Sequence, residues 1–301
     1  MSKKVRHPVM AATLWMMGAL LSFMAMAVGA RELSSELTTF QILFFRSLIG
    51  LPVVALFIAR TGARQFGTRR FWLHGLRNGA HFTGQFGWFY GIAFIPLAEV
   101  FAIEFTVPVW TAIFAALLLG ERITQSRVAA ICLGTIGTLL ILRPGIAAVH
   151  PAALAVLIGA VGFGFSYALT KKLAATETAL TVLFYMTLIQ LPLGFVPAAL
   201  QWVTPSPSMW PWLLVVGLTA LTAHYCLVHA FALADATVVV PMDFMRLPLI
   251  ALVGFLFYSE QISWFVFAGA VVIFAGNLIN IRAERRRKRD TLVPGGATAD
   301  L

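Results

Sequence analysis

Ionisable side chains interrupt several apolar stretches of this sequence. Glu104 and Asp243 lie within two such stretches, Arg46 and Arg77 lie within two others, and Arg246 follows Asp243 by three positions. A charged group inside a membrane span costs about 2.5–3.5 kcal/mol on insertion scales, so such residues face a bundle interior and commonly contact protons or substrate. We predict that these five residues form a site for a proton or a substrate. The alternative is a set of buried ion pairs that only fixes helix packing.

Two of the arginines can be explained without a substrate. Asp243 and Arg246 share one helical face and can neutralise each other without a substrate. Arg77 lies near one end of its span, from which its side chain can extend to the membrane surface. In the substrate-binding interpretation, the two acids contact a proton or an ammonium group, and Arg46, Arg77 or Arg246 binds a carboxylate.

Further polar residues follow one face of the third apolar stretch. Their spacing of 3, 1, 3 and 4 residues is that of a helix, and lipid would reject such a stripe, so it is predicted to face a wet cavity. The stripe consists of His74, Arg77, Asn78, His81 and Gln85. His224 and His229, on a later stretch, either line the same cavity or pack as core histidines.

Two prolines lie close to the acidic positions. Pro108 has no N–H for the carbonyl group of Glu104, and Pro248 has none for that of Phe244. We predict a kink at each proline, used either as a hinge or as a static bend.

The chain contains one segment twice. Residues 89–143 align without a gap on residues 228–282, 139 positions later, with 11 identical pairs among 55. Glu104 aligns with Asp243 and Glu121 with Glu260, although carboxylates are rare in this chain. The repetition indicates an internal duplication. Glu121 and Glu260 close their apolar runs and are predicted to shape the following turns.

The composition is that of an integral membrane protein. Hydrophobic residues make up 60% of the chain and charged ones 11%, against roughly 25% charged in soluble domains. We predict an all-α polytopic protein with ten transmembrane helices arranged as two inverted five-helix repeats. The repeats cover residues 9–143 and 151–282, and a basic, disordered tail covers 283–301. The predicted spans lie near 9–29, 38–59, 72–94, 97–119, 126–143, 151–170, 178–200, 211–233, 236–258 and 262–282.

Basic residues predict the orientation of these spans. Seventeen of the 22 lysines and arginines fall on the side of the amino terminus, whereas Arg31 and Arg143 fall on the other side. This asymmetry places both termini in the cytoplasm, with the protein in a bacterial-type inner membrane. The net charge of +10 therefore reflects topology and contact with anionic lipids, and no nucleic-acid partner is predicted.

Sequence motifs of membrane enzymes and ATP-driven pumps are missing. The sequence has no Walker loop, GxSxG, HExxH or CxxC pattern, and its two cysteines, Cys132 and Cys226, lie in the middle of spans. We therefore predict a protein that is not an enzyme and has neither a cofactor nor a metal site.

The chain resembles the EamA domains of the drug/metabolite transporter superfamily. The resemblance is carried by FYGIAFIPLAEVFAIEFTVPVWTAIFAALLLGERIT in the first half and FALADATVVVPMDFMRLPLIALVGFLFYSEQIS in the second. It covers about residues 9–282. It implies inverted halves around a central cavity, alternating access, and transport of small metabolites without ATP. The Pro and Glu framework of the family maps onto Pro108, Glu121, Pro248 and Glu260 and marks the fold.

Three functions remain open from the sequence. The first, which we favour, is an inner-membrane secondary transporter that exports a small polar or zwitterionic, amino-acid-like metabolite by alternating access, with proton exchange as an option. The second is uptake of a cofactor-sized molecule such as riboflavin or S-adenosylmethionine, with Trp88, Tyr90 and Trp110 stacking on its ring. The third is a non-transporting membrane scaffold with an interacting tail. The expected partners are the bilayer, a small-molecule substrate and protons, and homodimer formation is left open.

Overall fold

A computed structural model describes residues 8–121, 124–143, 149–233, 242–261 and 263–292. In these ranges the regular secondary structure is helical, and no strand occurs. The helices are α1 (Pro8–Leu33), α2 (Thr39–Thr61), α3 (Phe71–Phe94), α4 (Leu97–Glu104), α5 (Val107–Leu119), α6 (Gln125–Leu142), α7 (Pro151–Leu173), α8 (Ala179–Leu200), α9 (Trp210–Leu233), α10 (Arg246–Tyr258) and α11 (Trp264–Leu292). Short 3-10 turns occupy Ala63–Phe66 and Pro207–Met209.

Eight helical segments of the described chain are long and apolar enough to cross a membrane, with α4 and α5 counted together. The helix α10 is apolar but shorter, and the preceding residues 234–241 lie outside the described part. The helix α3 has sufficient length, but its buried polar stripe lowers its hydropathy. The fold is therefore an all-α polytopic one that is compatible with the predicted ten spans.

The fourth predicted span, 97–119, is broken into α4 and α5 at Phe105 and Thr106. Pro108 is the second residue of α5 and cannot donate to the carbonyl group of Glu104. A second break, at Phe244 and Met245, precedes α10. The two breaks meet inside the bundle, where the rings of Phe105 and Phe244 stack with their centroids 4.0 Å apart.

Helix pairing in the bundle follows a regular scheme. The helix α1 packs along α9, α3 along α7, α2 along α8, α6 along α11 and α4 along α10. Exchanging the two predicted five-span halves converts the α1–α9 pair into the α7–α3 pair and returns the other three pairs to themselves. These five pairs are thus unchanged when the halves are exchanged, whereas the close packing of α5 along α7 has only a small counterpart between α10 and α1.

Glycines allow α3 and α7 to approach each other closely. A Cβ atom added at Gly87 would lie 2.1 Å from the carbonyl oxygen of Ala155, and one added at Gly159 would lie 2.9 Å from that of Gly84. Such backbone contact is the usual role of small residues between membrane helices. In contrast, Gly75 on the same helix has no neighbouring atom within 4 Å of an added Cβ, so the close contact forms at Gly87 and not at Gly75.

The end of the chain differs from its prediction. Residues 283–292 continue α11 as a helix up to Leu292 instead of beginning a disordered tail. Residues 283–289 are alanine, glutamate, lysine and arginine, which are strong helix formers, and no glycine or proline interrupts them. Residues 293–301 lie outside the described ones.

Candidate functional site

A central cavity of about 250 Å³ lies where the two broken spans meet the surrounding helices. Its polar lining includes Arg46, His81, Gln85, Glu104, His224, Asp243 and Arg246. Its aromatic lining includes Phe23, Trp88, Phe89, Phe105, Phe163, Tyr167 and Phe244. A few polar groups among many apolar ones are typical of a small-molecule site. The volume lies just below the roughly 300 Å³ at which cavities begin to hold drug-sized ligands.

Two carboxylates and one guanidinium form a cluster at the breaks. Nη2 of Arg246 lies 2.8 Å from Oδ2 of Asp243, and its Nη1 lies 3.7 Å from Oε1 of Glu104. The arginine is also held 4.5 Å above the ring of Phe23. Glu104 accepts a hydrogen bond of 2.8 Å from Nε1 of Trp88. One cation therefore serves two acids, and Oδ1 of Asp243 and Nη1 of Arg246 remain without hydrogen-bond partners in the described chain.

Arg46 is electrostatically different from Arg246. It projects from α2 into the same cavity with only 5% of its surface exposed. No hydrogen bond or ion pair to Arg46 occurs among the described residues, and its Nε is buried without a partner. A buried charge without a partner is costly and is normally retained for a reason. The cavity thus presents a free cation on α2 as well as the acid-rich cluster at the breaks.

Residues on α3 and α8 complete the polar wall near Arg46. His81 is buried, and its Nδ1 lies 3.0 Å from Nε2 of Gln190, on α8. Gln85, one turn further along α3, has its Oε1 buried without a partner in the described part of the molecule. Gln190 therefore fixes the orientation of the His81 ring, while Gln85 can still accept a hydrogen bond.

Other candidates from the sequence lie away from the described cavity lining. Arg77 is buried and donates to Thr170 and Asn78 at 3.1 and 2.6 Å, so it does not extend to the surface. His74 and Asn78 pack near Tyr185, so only the His81 and Gln85 part of the polar stripe reaches the cavity.

Two aromatic candidates and one histidine are likewise outside this lining. Tyr90 packs between Phe86 and Phe94, and the indole N–H of Trp110 donates to Thr106 at 3.3 Å. The ring of His229 packs on Trp15 and Tyr225, between α1 and α9. Of the three aromatic residues proposed to stack on a substrate, Trp88 alone belongs to the lining described above.

Several lining residues were not selected from the sequence. Phe163 and Tyr167 of α7 and Phe23 of α1 contribute much of the aromatic wall. All three lie on helices that are apolar around their whole circumference, so no periodic pattern distinguishes their inward face. Gln190 did carry a signal, since it is a lone amide inside an apolar span.

A bundle of membrane-spanning helices around a cavity with intramembrane charges is typical of one class of protein, the small-molecule transporters. The chain belongs to the EamA-like transporter family, whose model matches residues 10–143 and again residues 150–282.

Curated relatives have transport functions. The chain is 27% identical to an S-adenosylmethionine uptake transporter of Rickettsia bellii, over 90% of this chain and 94% of the relative. It is 31% identical to a riboflavin transporter of Rhizobium johnstonii, with 92% of both chains covered. It is also 29% identical to the pseudopaline exporter CntI of Pseudomonas aeruginosa, over 88% of this chain and 93% of the relative.

Proposed function

We propose that the protein imports a zwitterionic metabolite with a planar ring, of the S-adenosylmethionine class. The observation that carries this proposal is Arg46, a buried cation with no anionic partner among the described residues, in the same cavity as Glu104 and Asp243. A substrate carboxylate would neutralise Arg46. The substrate's cationic groups would face the two acids, which share the single charge of Arg246.

S-adenosylmethionine carries charged and aromatic groups that complement the side chains of this cavity. Its carboxylate suits Arg46, its ammonium and sulfonium groups suit Glu104 and Asp243, and its adenine ring suits the aromatic wall around Trp88. A molecule of this size needs more than the present 250 Å³, so the helices must separate to admit it. The breaks before α5 and α10 are proposed as the hinges, with Pro108 and Pro248 preventing a continuous helix there.

Riboflavin is the second candidate. The 31% identity to the Rhizobium johnstonii riboflavin transporter and the number of cavity aromatic residues favour it. Riboflavin has no carboxylate, however, and would leave Arg46 without a counter-charge. Export of an amino-acid-like solute, the first choice from the sequence, has the CntI exporter as its supporting relative.

The proposed membrane arrangement follows the sequence. Two inverted halves, 9–143 and 151–282, enclose the cavity, and both termini lie in the cytoplasm because the basic residues gather on that side. The five helix pairs that are preserved on exchange of the halves support this duplication.

Counterflow in proteoliposomes tests the substrate. Vesicles loaded with unlabelled S-adenosylmethionine are expected to accumulate the labelled compound, while riboflavin-loaded vesicles accumulate labelled riboflavin much more weakly. Amino acids provide the third arm. Accumulation of riboflavin alone would replace the first candidate by the second, and exchange of amino acids alone would favour the export function. Uptake by intact cells that produce the protein, compared with cells that do not, gives the direction.

Proton coupling would depend on Glu104. We expect Glu104→Gln to keep its hydrogen bond from Trp88 but to abolish any dependence of transport on a proton gradient, because the amide cannot exchange a proton. Asp243→Asn is the companion variant. The readout is substrate flux with and without an imposed pH gradient. Equal gradient dependence in wild type and both variants would exclude these acids as the coupling groups.

A further inference from the structure

Two glutamates of the described chain occupy matching turns at the ends of the broken spans. Glu121 follows α5, and Glu260 follows α10, 139 positions later. Each comes directly after a residue in the left-handed conformation, Gly120 with φ 67° and Ser259 with φ 53°. Both glutamates donate their own N–H to the carbonyl group six residues earlier, at 3.4 and 3.0 Å. The two carboxylates therefore project from the same type of helix-ending turn.

Glu260 connects three helices at one end of the bundle. Its Oε1 lies 2.8 Å from Nη2 of Arg31, at the end of α1, and its Oε2 accepts from the N–H of Leu97, the first residue of α4. Arg31 also donates to the carbonyl oxygen of Ile95. We call this the Arg31 cluster. It ties α1 to the end of one broken span and the start of the other.

Glu121 likewise connects the end of α5 to two other helices. It accepts hydrogen bonds from Nζ of Lys171, near the end of α7, and from Nη2 of Arg127, at the start of α6. We call this the Lys171 cluster. Lys171 follows Arg31 by 140 positions, close to the offset of the two glutamates. Each glutamate thus binds a basic residue at the end of the first helix of the other half.

The two clusters lie at opposite ends of the bundle. Nη1 of Arg70, just before α3, donates to the carbonyl oxygen of Lys172, whereas Ile95, just after α3, accepts from Arg31. The helix between them has 24 residues and is therefore about 36 Å long. One cluster is thus close to each membrane surface, with the central cavity between them.

The Lys171 cluster also lies on a route to the central cavity. A second cavity of about 350 Å³ has Glu121, Arg127 and Lys171 in its lining. It shares Val107, Pro108 and Tyr167 with the central cavity, so these three residues belong to the wall between the two cavities. A solute that leaves past Pro108 meets the Lys171 cluster next.

We infer that Glu121–Lys171 and Glu260–Arg31 are the two gates of the transport cycle, each of which opens while the other stays closed. Separation of either ion pair frees the end of a broken span from the first helix of the opposite half. The hydrogen bond from Lys171 lowers the pKa of Glu121, which favours the charged form of this carboxylate. The inference needs transport by alternating access but not a particular substrate.

Site-directed labelling tests the gates without a substrate. Met26 lines the central cavity from α1 and is buried, so Met26→Cys, with Cys132 and Cys226 replaced by alanine, reports access to the cavity. Membrane vesicles of both orientations are treated with a membrane-impermeant maleimide. We expect Arg31→Gln to speed labelling about tenfold from the Arg31 side. Lys171→Met should speed it about threefold from the opposite side, because Lys171 is more exposed and its ion pair is weaker.

Two further variants distinguish gating from general loosening. Lys172→Met removes the neighbouring charge on the same helix and is expected to leave labelling unchanged. Arg31→Lys keeps a cation that can still donate to Glu260 and to the carbonyl oxygen of Ile95, so its labelling should stay slow where that of Arg31→Gln is fast. Faster labelling from both sides in either single variant, or no change in any variant, would contradict the proposal that these ion pairs are gates. A failure of the counterflow assay with every substrate would leave this labelling result unaffected.

Discussion

Arg46→Gln is expected to reduce transport of the zwitterionic substrate about 100-fold while raising the thermal stability of the protein. The loss of transport follows because a buried, charge-assisted contact with a substrate carboxylate is worth about 2–5 kcal/mol. The gain in stability follows because the substitution removes a buried cation that has no anionic partner in the described structure. The measurements are initial uptake rates and melting temperature in detergent.

Arg60→Gln provides the matched control for this variant. Arg60 lies on the same helix, 14 residues later, and is exposed, so both transport and melting temperature should stay close to wild type. A lower melting temperature with unimpaired transport in Arg46→Gln would show that Arg46 is a packing residue, and the proposed carboxylate site would then be wrong.

Gly87→Ala is expected to destabilise the protein by about 1–3 kcal/mol or more, the usual cost of overfilling a packed interior. The added methyl group would meet the backbone of α7, 2.1 Å from the Ala155 carbonyl oxygen and 3.1 Å from Cα of Gly159. Backbone atoms cannot move aside as a side-chain end can, so α3 and α7 must separate. A lower melting temperature and a smaller monodisperse fraction on size exclusion would be the result.

Gly75→Ala is the corresponding control on the same helix. With open space around an added Cβ at this position, the substitution should be neutral or stabilising by about 0.5–1 kcal/mol, because alanine favours the helix. Equal behaviour of the two variants would contradict the close α3–α7 contact.

Much of the architecture could be predicted from the sequence because the membrane restricts the choices. Long apolar runs predicted the spans, and the family matches and helices agree with them. Pro108 predicted a kink at Glu104, where the helix breaks. The pairing of Asp243 with Arg246 was also accessible, since the two residues are three apart on one chain segment.

Other features depend on tertiary contacts that leave no mark in a single apolar sequence. In the sequence, Arg46 and Arg77 are both lone arginines inside spans. In the structure Arg77 donates hydrogen bonds to Thr170 and Asn78, whereas Arg46 has no hydrogen-bond partner in the described chain. The position of Tyr167 in the cavity wall could not be predicted either, because the lipid-facing and cavity-facing positions of α7 are equally apolar in composition.

The charges of the central cavity have one more consequence. Its described lining contains two arginines, Arg46 and Arg246, and two acids, Glu104 and Asp243. With neutral histidines these charges sum to zero, so movement of the lining transfers no net charge across the membrane. The substrate's own charge then sets how the membrane potential acts on its movement. A zwitterion with no net charge would feel no electrical force, whereas one with a single positive charge would gain about 2.3 kcal/mol on entry at 100 mV, inside negative. For such a cation the resting voltage alone would sustain accumulation inside the cell.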